Sequence, residues 1–359
     1  MEQIEDIFTM LDQLDRPAFF VQDGRILRVN SAAERCLITA GTPIATILIT
    51  GRQEYADLRS GCLHLTLSLS GEARGASVTR VGQFDMFALD QTEDNAELQA
   101  MALAAQELRQ PLAGIMTVAD RLFPIAGKEA DPALQEQISR INRGLFQMLR
   151  IIGNMSDAYR YSRDASAAMQ TRDISSLLSE LFQQSAPLVS YAGVELQYTG
   201  LSGSVYGLVD AEKLERGVTN IISNAVKFSP KGSCIEAKLT RKGNLLYLTV
   251  QDGGSGVEKD LRGSVYTRYQ RSPGIEDSRY GIGLGMVLVR AAAAMHGGTV
   301  LMEQGDKNRV TMTIAIRQNT EGTVRSDRLL VDYAGERDHR LIELSDVLPP
   351  EVYRKENIN

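Results

Sequence analysis

Apolar positions along this chain change period twice. Up to about residue 90, short apolar runs alternate with turn signals. Residues 18–22 and 25–30 flank Asp23-Gly24, a dipeptide that accepts the positive φ angles of a tight turn, so the spacing predicts a hairpin. A short helix over 31–36, capped by Asn30 or Ser31, is expected next, then strand-like runs at 64–68 and 77–89. Between about 95 and 163 the period becomes helical. Met101, Ala105, Leu108, Leu112, Ile115, Ala119 and Leu122 form one heptad seam; after a break holding Pro124 and Pro132, a second runs through Ile138, Ile141, Leu145, Met148, Ile152, Met155 and Tyr159. Two seamed helices joined by a short Pro-containing loop cannot bury both faces alone. A four-helix bundle from two copies, and hence a homodimer, is therefore expected.

From about 170 to 317 helix and strand patterns mix. Helices are expected at 174–188, 211–228 and 286–295, and strands at 194–198, 205–209, 235–240, 245–251, 299–303 and 310–316. This is the pattern of an α/β sandwich, a helical layer on a mixed sheet. In the remaining stretch, 318–359, the runs 328–333 and 340–344 flank Ala334-Gly335-Glu336-Arg337-Asp338 and suggest a β-hairpin.

Composition narrows the function classes. A chain of 359 residues, 43% hydrophobic, has room for two to three domains with cores of their own. A net charge of −6 without a basic block argues against nucleic acid as a partner. The stretch 286–295 is interrupted by Arg290 and falls short of the ~20 residues that span a bilayer, so no membrane span is expected. Glu2, Glu5 and Asp6 do not read as a signal peptide, which makes the cytoplasm the default location. Cys36, Cys62 and Cys234 form no CxxC, and His64, His296 and His339 have no ligand spacing, so neither a disulfide framework nor a zinc site is indicated.

Three motifs carry the chemistry. Asn220, Asn224 and Lys227 fall on one helix face, where an amide oxygen suits a hard cation and an ammonium suits phosphate. Asp252-Gly-Gly254-Ser-Gly256 ends a strand, so its carboxylate can accept from an amine while the glycines let backbone approach. Gly281-Ile-Gly283-Leu-Gly285 opens a helix whose amides can cradle phosphate. Each is weak alone, but in this order they resemble the Bergerat-type ATP-binding domain of histidine kinases and gyrase-type ATPases. The resemblance implies ATP and Mg²⁺ as cofactors, with Asn224 the Mg²⁺ ligand, Asn220 beside it, Lys227 near the phosphates and Asp252 on the adenine amine. It also implies a lid around Val265-Tyr266-Thr267-Arg268-Tyr269, with Arg268 among the nucleotide contacts and Tyr where the family has Phe. His296-Gly297-Gly298 reads as a glycine-capped helix end with His296 packing locally.

Upstream, Gln106-Glu107-Leu108-Arg109-Gln110-Pro111 resembles the phospho-acceptor segment of sensor histidine kinases, His-Glu-Leu-Arg-Thr-Pro, with Gln106 in the acceptor's place and Gln110 replacing Thr or Asn. An amide nitrogen is delocalised into its carbonyl and is no nucleophile at neutral pH. On the heptad register Gln106 lies beside seam residue Ala105 and is expected to face solvent. Glu107 survives as the base the family sets beside its histidine. The order of hairpin, Asn, short helix and strands at the front resembles a PAS sensory domain. The fold class expected is thus multidomain α+β: a PAS-like domain (1–92), a helical-hairpin dimerisation bundle (95–165), a Bergerat-type ATP-binding α/β sandwich (170–317) and residues 318–359. Two functions fit. In one, a histidine kinase of a two-component system phosphorylates a partner histidine kinase or phosphotransfer protein in trans, upstream of a response regulator. In the other, an ATP-gated pseudokinase acts as a binding scaffold for a kinase or regulator. A serine kinase of the anti-sigma type is disfavoured by the two heptad helices.

Overall fold

The computed structural model describes residues 8–9, 11–90, 94–127, 132–163, 169–254, 284–303, 307–317 and 337–354. Its first unit opens with β1 (Ala18–Gln22) and β2 (Arg25–Val29), joined by Asp23 and Gly24 at φ 49° and 73°, as the dipeptide predicts. Asn30 caps α1 (Ser31–Arg35) by accepting from the Ala33 amide at 2.9 Å, and its Nδ2 donates to the Leu14 and Arg16 carbonyls. Two short helices that periodicity does not reveal, α2 (Ile44–Ile47) and α3 (Arg52–Asp57), precede β3 (Cys62–Leu69), β4 (Glu72–Val81) and β5 (Phe84–Leu89). The run expected at 77–89 is therefore two strands, turned at Gly82 with φ 62°. Phe19 and Phe87 stack 5.0 Å apart within this unit's own core.

The helical hairpin consists of α4 (Asp94–Gly127), which runs through Pro124 rather than breaking there, and α5 (Pro132–Arg163). The seam divides in two. Ala105, Leu112, Ala119, Leu145 and Ile152 are buried within the hairpin, whereas Leu108, Ile115 and Leu122 on α4 and Leu134, Ile141 and Met148 on α5 stay exposed at heptad spacing. Each helix therefore carries an exposed apolar row at heptad spacing.

The third unit begins with β6 (Gln170–Asp173), unforeseen in sequence, and α6 (Ile174–Ser190), capped by Asp173. Then come β7 (Glu195–Thr199), β8 (Tyr206–Val209), α7 (Ala211–Phe228), β9 (Cys234–Lys242), β10 (Leu245–Asp252), α8 (Gly285–Met295), β11 (Val300–Glu303) and β12 (Asn308–Ala315). The strands β11-β12-β10-β9-β7 form a mixed sheet, with β7 parallel to β9 and the other pairs antiparallel; β6 pairs with β8 separately. This sheet does not stop at β11. Val300, Leu301 and Met302 pair antiparallel with His64, Leu63 and Cys62 of β3, making one sheet of ten strands across the first and third units.

Residues 340–344 are not a strand. They lie in and just beyond a short helix, α9 (His339–Glu343), because Asp338 caps it through the Arg340 amide at 2.9 Å and Leu341, Ile342 and Leu344 are buried together. The run 328–333 proposed to pair with it lies outside the described residues. A 3₁₀ turn, Pro350–Tyr353, follows α9. The cysteines are free thiols, Cys62 buried and the other two partly so. Among the described residues no helix is long and apolar enough to cross a membrane.

Candidate nucleotide site and acceptor segment

Helix α7 starts at Asp210, whose carboxylate accepts from the Lys213 amide at 3.2 Å. The Asp210 amide donates to His296 Nε2 at 3.1 Å, while His296 Nδ1 donates to the Ala292 carbonyl at 2.7 Å. Burial holds the imidazole below its ordinary pKa, in keeping with a neutral ring that uses one nitrogen as acceptor. His296 thus joins the end of α8 to the start of α7 and does more than pack locally beside its capping glycine, Gly297.

Along α7, Asn220 is 1% exposed, and Asn224 and Lys227 are half-buried. Asn220 Nδ2 donates to the Arg216 carbonyl at 2.9 Å, and its Oδ1 accepts from Arg150 Nη2 of the hairpin at 3.4 Å. Gly285 opens α8 against the same amide: a Cβ there would stand 2.9 Å from Asn220 Oδ1. At the end of β10, Asp252 Oδ1 accepts from the Gly254 amide at 2.8 Å and from Asn308 Nδ2 at 3.1 Å; Asn308 Nδ2 also donates to the Gly254 carbonyl at 2.7 Å. A Cβ on Gly254 would lie 2.6 Å from the Phe228 carbonyl oxygen, so this glycine brings the end of β10 against the end of α7. Asn308, which orients Asp252, escaped the sequence reading; its signal is the strand register that sets it directly opposite Asp252.

The structure therefore sets Gly285, at the start of α8, against Asn220 midway along α7, and Gly254, just past Asp252 of β10, against Phe228 at the end of the same helix. Gly256, Arg268, Gly281 and Gly283 lie outside the described residues. The donor set suits a magnesium nucleotide: a fixed carboxylate, amide oxygens, one lysine, and two close approaches that only glycine allows. Among the described residues no cluster of three His, Cys, Asp or Glu side chains could hold a metal by itself.

On α4, Gln106, Glu107, Arg109 and Gln110 are all exposed, flanked by buried Ala105 and Leu112. The expected outward placement of Gln106 is what the helix produces. Sequence reading also missed a buried ionic cluster joining the hairpin to α7. Arg216, 4% exposed, pairs with Asp157 of α5 and, at 2.9 Å, with Glu343 of α9; it also donates to Asn154 Oδ1 at 3.1 Å. Arg150 pairs with Asp346 and donates to Ser223 Oγ at 3.3 Å. Arg150 and Asp157 fall between seam positions, one heptad apart, and nothing in the seam pattern marks them as buried.

Residues 209–320 match the histidine kinase-, DNA gyrase B- and HSP90-like ATPase family, and residues 96–162 match the His Kinase A (phospho-acceptor) domain. The sensor protein KdpD of Clostridium acetobutylicum is 26% identical over 55% of this chain and 22% of its own length. Sensor histidine kinase RppB of Synechocystis is 25% identical over 57% of the chain and 45% of its length, and histidine protein kinase DivJ of Caulobacter vibrioides 30% over 60% and 37%. The chain thus spans less than half the length of each of these relatives. Full-length ShkA, crystallised with AMPPNP, shares the fold at a TM-score of 0.50 and 21% identity, covering 62% of this chain and 46% of that one. Residues 96–162 and 209–320 thus match, in that order, a phospho-acceptor domain and a histidine kinase-like ATPase domain, which supports the sensor histidine kinase family.

Proposed function

We propose that this protein binds Mg–ATP and phosphorylates a histidine on a partner, a second histidine kinase or a phosphotransfer protein, upstream of a response regulator. The observation that supports this reading is a contrast: Gly285 packs on Asn220 and Gly254 on Asp252 and Phe228, close approaches in keeping with a nucleotide site, while the exposed acceptor position holds Gln106. Asp252 takes the adenine amine, Asn224 the Mg²⁺ and Lys227 the phosphates; Gly256, Gly281, Gly283 and Arg268 complete the site. Bound Mg–ATP supplies the phosphoryl group, and the chain's part is to position it and neutralise its charge. Glu107 stands beside Gln106 as a base without a nucleophile. Gln110, a longer amide than Thr or Asn, orients a hydrolytic water poorly, so phosphatase activity toward a regulator is weak. The N-terminal unit acts as a PAS-like sensor, a reading supported by its five-stranded antiparallel sheet with short helices between β2 and β3. The exposed heptad rows on α4 and α5 support a homodimer.

One contact favours the pseudokinase alternative. Arg150 already engages Asn220 from the hairpin, as a nucleotide-reading scaffold would require. The Gln106→His variant separates the two. With radiolabelled ATP, an acid-labile phosphohistidine in the variant and none at this position in the wild type supports an engine that has lost only its own acceptor. A variant that binds ATP yet takes no label supports the scaffold.

A further inference from the structure

Residues 337–354 sit in the seam between α5 and α7 in a manner unlike a loosely packed surface segment. One face of α5 is given over to them. Asn142 Nδ2 donates to the Tyr353 carbonyl at 3.0 Å, Arg143 donates to the carbonyls of Ser345 at 3.1 Å and Asp346 at 3.0 Å, and Gln147 donates to the Ser345 carbonyl at 3.2 Å. Side chains of α5 thus meet the backbone of an irregular segment, which is how a helix face reads a peptide and not another helix. Phe146 packs edge-on against Tyr353 with centroids 5.1 Å apart; Tyr353 is fully buried, and its hydroxyl donates to the Leu341 carbonyl at 2.7 Å. Charge is matched as well. Glu343 is 2% exposed between Arg216 of α7 and Arg150 of α5, and Asp346 pairs with Arg150.

Arg150 and Arg216 are also the residues that hold Asn220: the first donates to its Oδ1, and the second supplies the carbonyl that receives its Nδ2. We infer that the face of α5 from Asn142 to Arg150, together with Arg216, is a docking groove for an acidic peptide with a trailing aromatic side chain. It is occupied in cis by residues 337–354, and this occupancy latches the ATP-binding unit to the second hairpin helix. Two carboxylates three residues apart meet the two arginines, and Tyr353 fills the apolar end. A partner presenting the same chemistry competes for the groove and releases the latch. The inference goes beyond the kinase reading and does not depend on ATP being bound.

The test uses the full chain without nucleotide and a fluorescein-labelled synthetic peptide of residues 337–354. The variant Asp346→Asn/Tyr353→Ala, which weakens the cis segment, takes up the peptide saturably. Wild type binds it at least about tenfold more weakly, because the tethered segment competes at an effective concentration on the order of millimolar. Adding Asn142→Ala and Arg143→Ala to the variant removes the binding. A helical variant that binds no peptide, equal binding by wild type and variant, or binding indifferent to Asn142 and Arg143 each overturns the groove. Should the double variant unfold, the single change Asn142→Ala serves in its place with hydrogen exchange as the readout. Exchange then rises about tenfold across 339–353 and along 216–223 of α7, and unchanged exchange in both stretches overturns the latch.

Discussion

Gly61 joins two units, and substituting it measures that junction. It precedes β3 at φ +93°, and a Cβ there would stand 2.1 Å from the Met302 carbonyl oxygen and 3.0 Å from its carbon. Gly71, at φ +84°, has nothing within 4 Å. Alanine at either position therefore meets the left-handed backbone cost of about 1–2 kcal/mol, and only at Gly61 does it also strike backbone. A carbonyl cannot rotate away, so β11 must withdraw by over an ångström from β3. That loosens the three residue pairs linking His64, Leu63 and Cys62 to Val300, Leu301 and Met302. At about 0.5–1.5 kcal/mol net for each ladder bond, the junction should lose about 2–4 kcal/mol beyond the Gly71→Ala control. Each unit keeps its own core, so neither unfolds. Hydrogen exchange at β11 should accelerate in Gly61→Ala alone, and calorimetry should resolve separate transitions for the first and third units. Equal behaviour of the two variants within about 0.5 kcal/mol would refute the continuous sheet.

Three further outcomes follow from the same geometry. Asp252→Asn removes a carboxylate that the Gly254 amide and Asn308 hold in place, and should weaken Mg–ATP binding by about 1.5–3 kcal/mol in titration calorimetry; equal affinities would remove Asp252 from the site. Ile115→Asp, at a position 53% exposed in one copy, should give a folded monomer in sedimentation, whereas Leu112→Asp puts charge into the hairpin's own core and should lower its helicity; a dimeric Ile115→Asp would relocate the interface. Burial, aided by Glu180 and Glu212 and opposed by Arg340, pushes the Glu215 carboxyl up to about 7 from 4.5. The fold keeps a proton that the unfolded chain gives up across that window, so this residue's contribution is present below pH 4.5 and lost as pH rises through 7. Glu215→Gln should accordingly gain about 1–3 kcal/mol at pH 8 and little at pH 4, read as a shift in Tm at each pH; no pH-dependent difference would place Glu215 in water.

What the sequence disclosed was whatever local chemistry determines. The helix 211–228 was legible to the residue because Asp210 caps it and its apolar face repeats at helical period; the turn at Asp23-Gly24 was legible because only certain residues accept positive φ. Residues 340–344 misled for the opposite reason. Arg-Leu-Ile-Glu-Leu is too short for periodicity to separate helix from strand, and its helix is set by a cap at Asp338 and by burial against α5 and α7. Heptad spacing places both sets on the seams but does not divide Leu112 and Ile152, which are buried, from Ile115 and Ile141, which are exposed. The edge pairing of β3 with β11 joins residues far apart in sequence, and no local pattern encodes it.

Two further non-local contacts reach α7 and α8. Asp90, at the end of the first unit, pairs with Arg290 of α8 at 2.8 Å and lies 3.3 Å from His64 in β3; although burial opposes ionisation, Arg290 and His64 hold its carboxyl down at about 2. A carboxylate that stays ionised across the neutral range keeps this strut closed, its contribution being lost only as pH falls from about 4 through 2. On the other side, Arg150 carries the hairpin to Asn220 of α7, against which Gly285 opens α8. The first unit is thus tied to α8 and the hairpin to α7, and the Asn220–Gly285 approach is where the two ties meet. Under the function proposed above, that approach is the place where the first unit and the hairpin would act together on bound nucleotide.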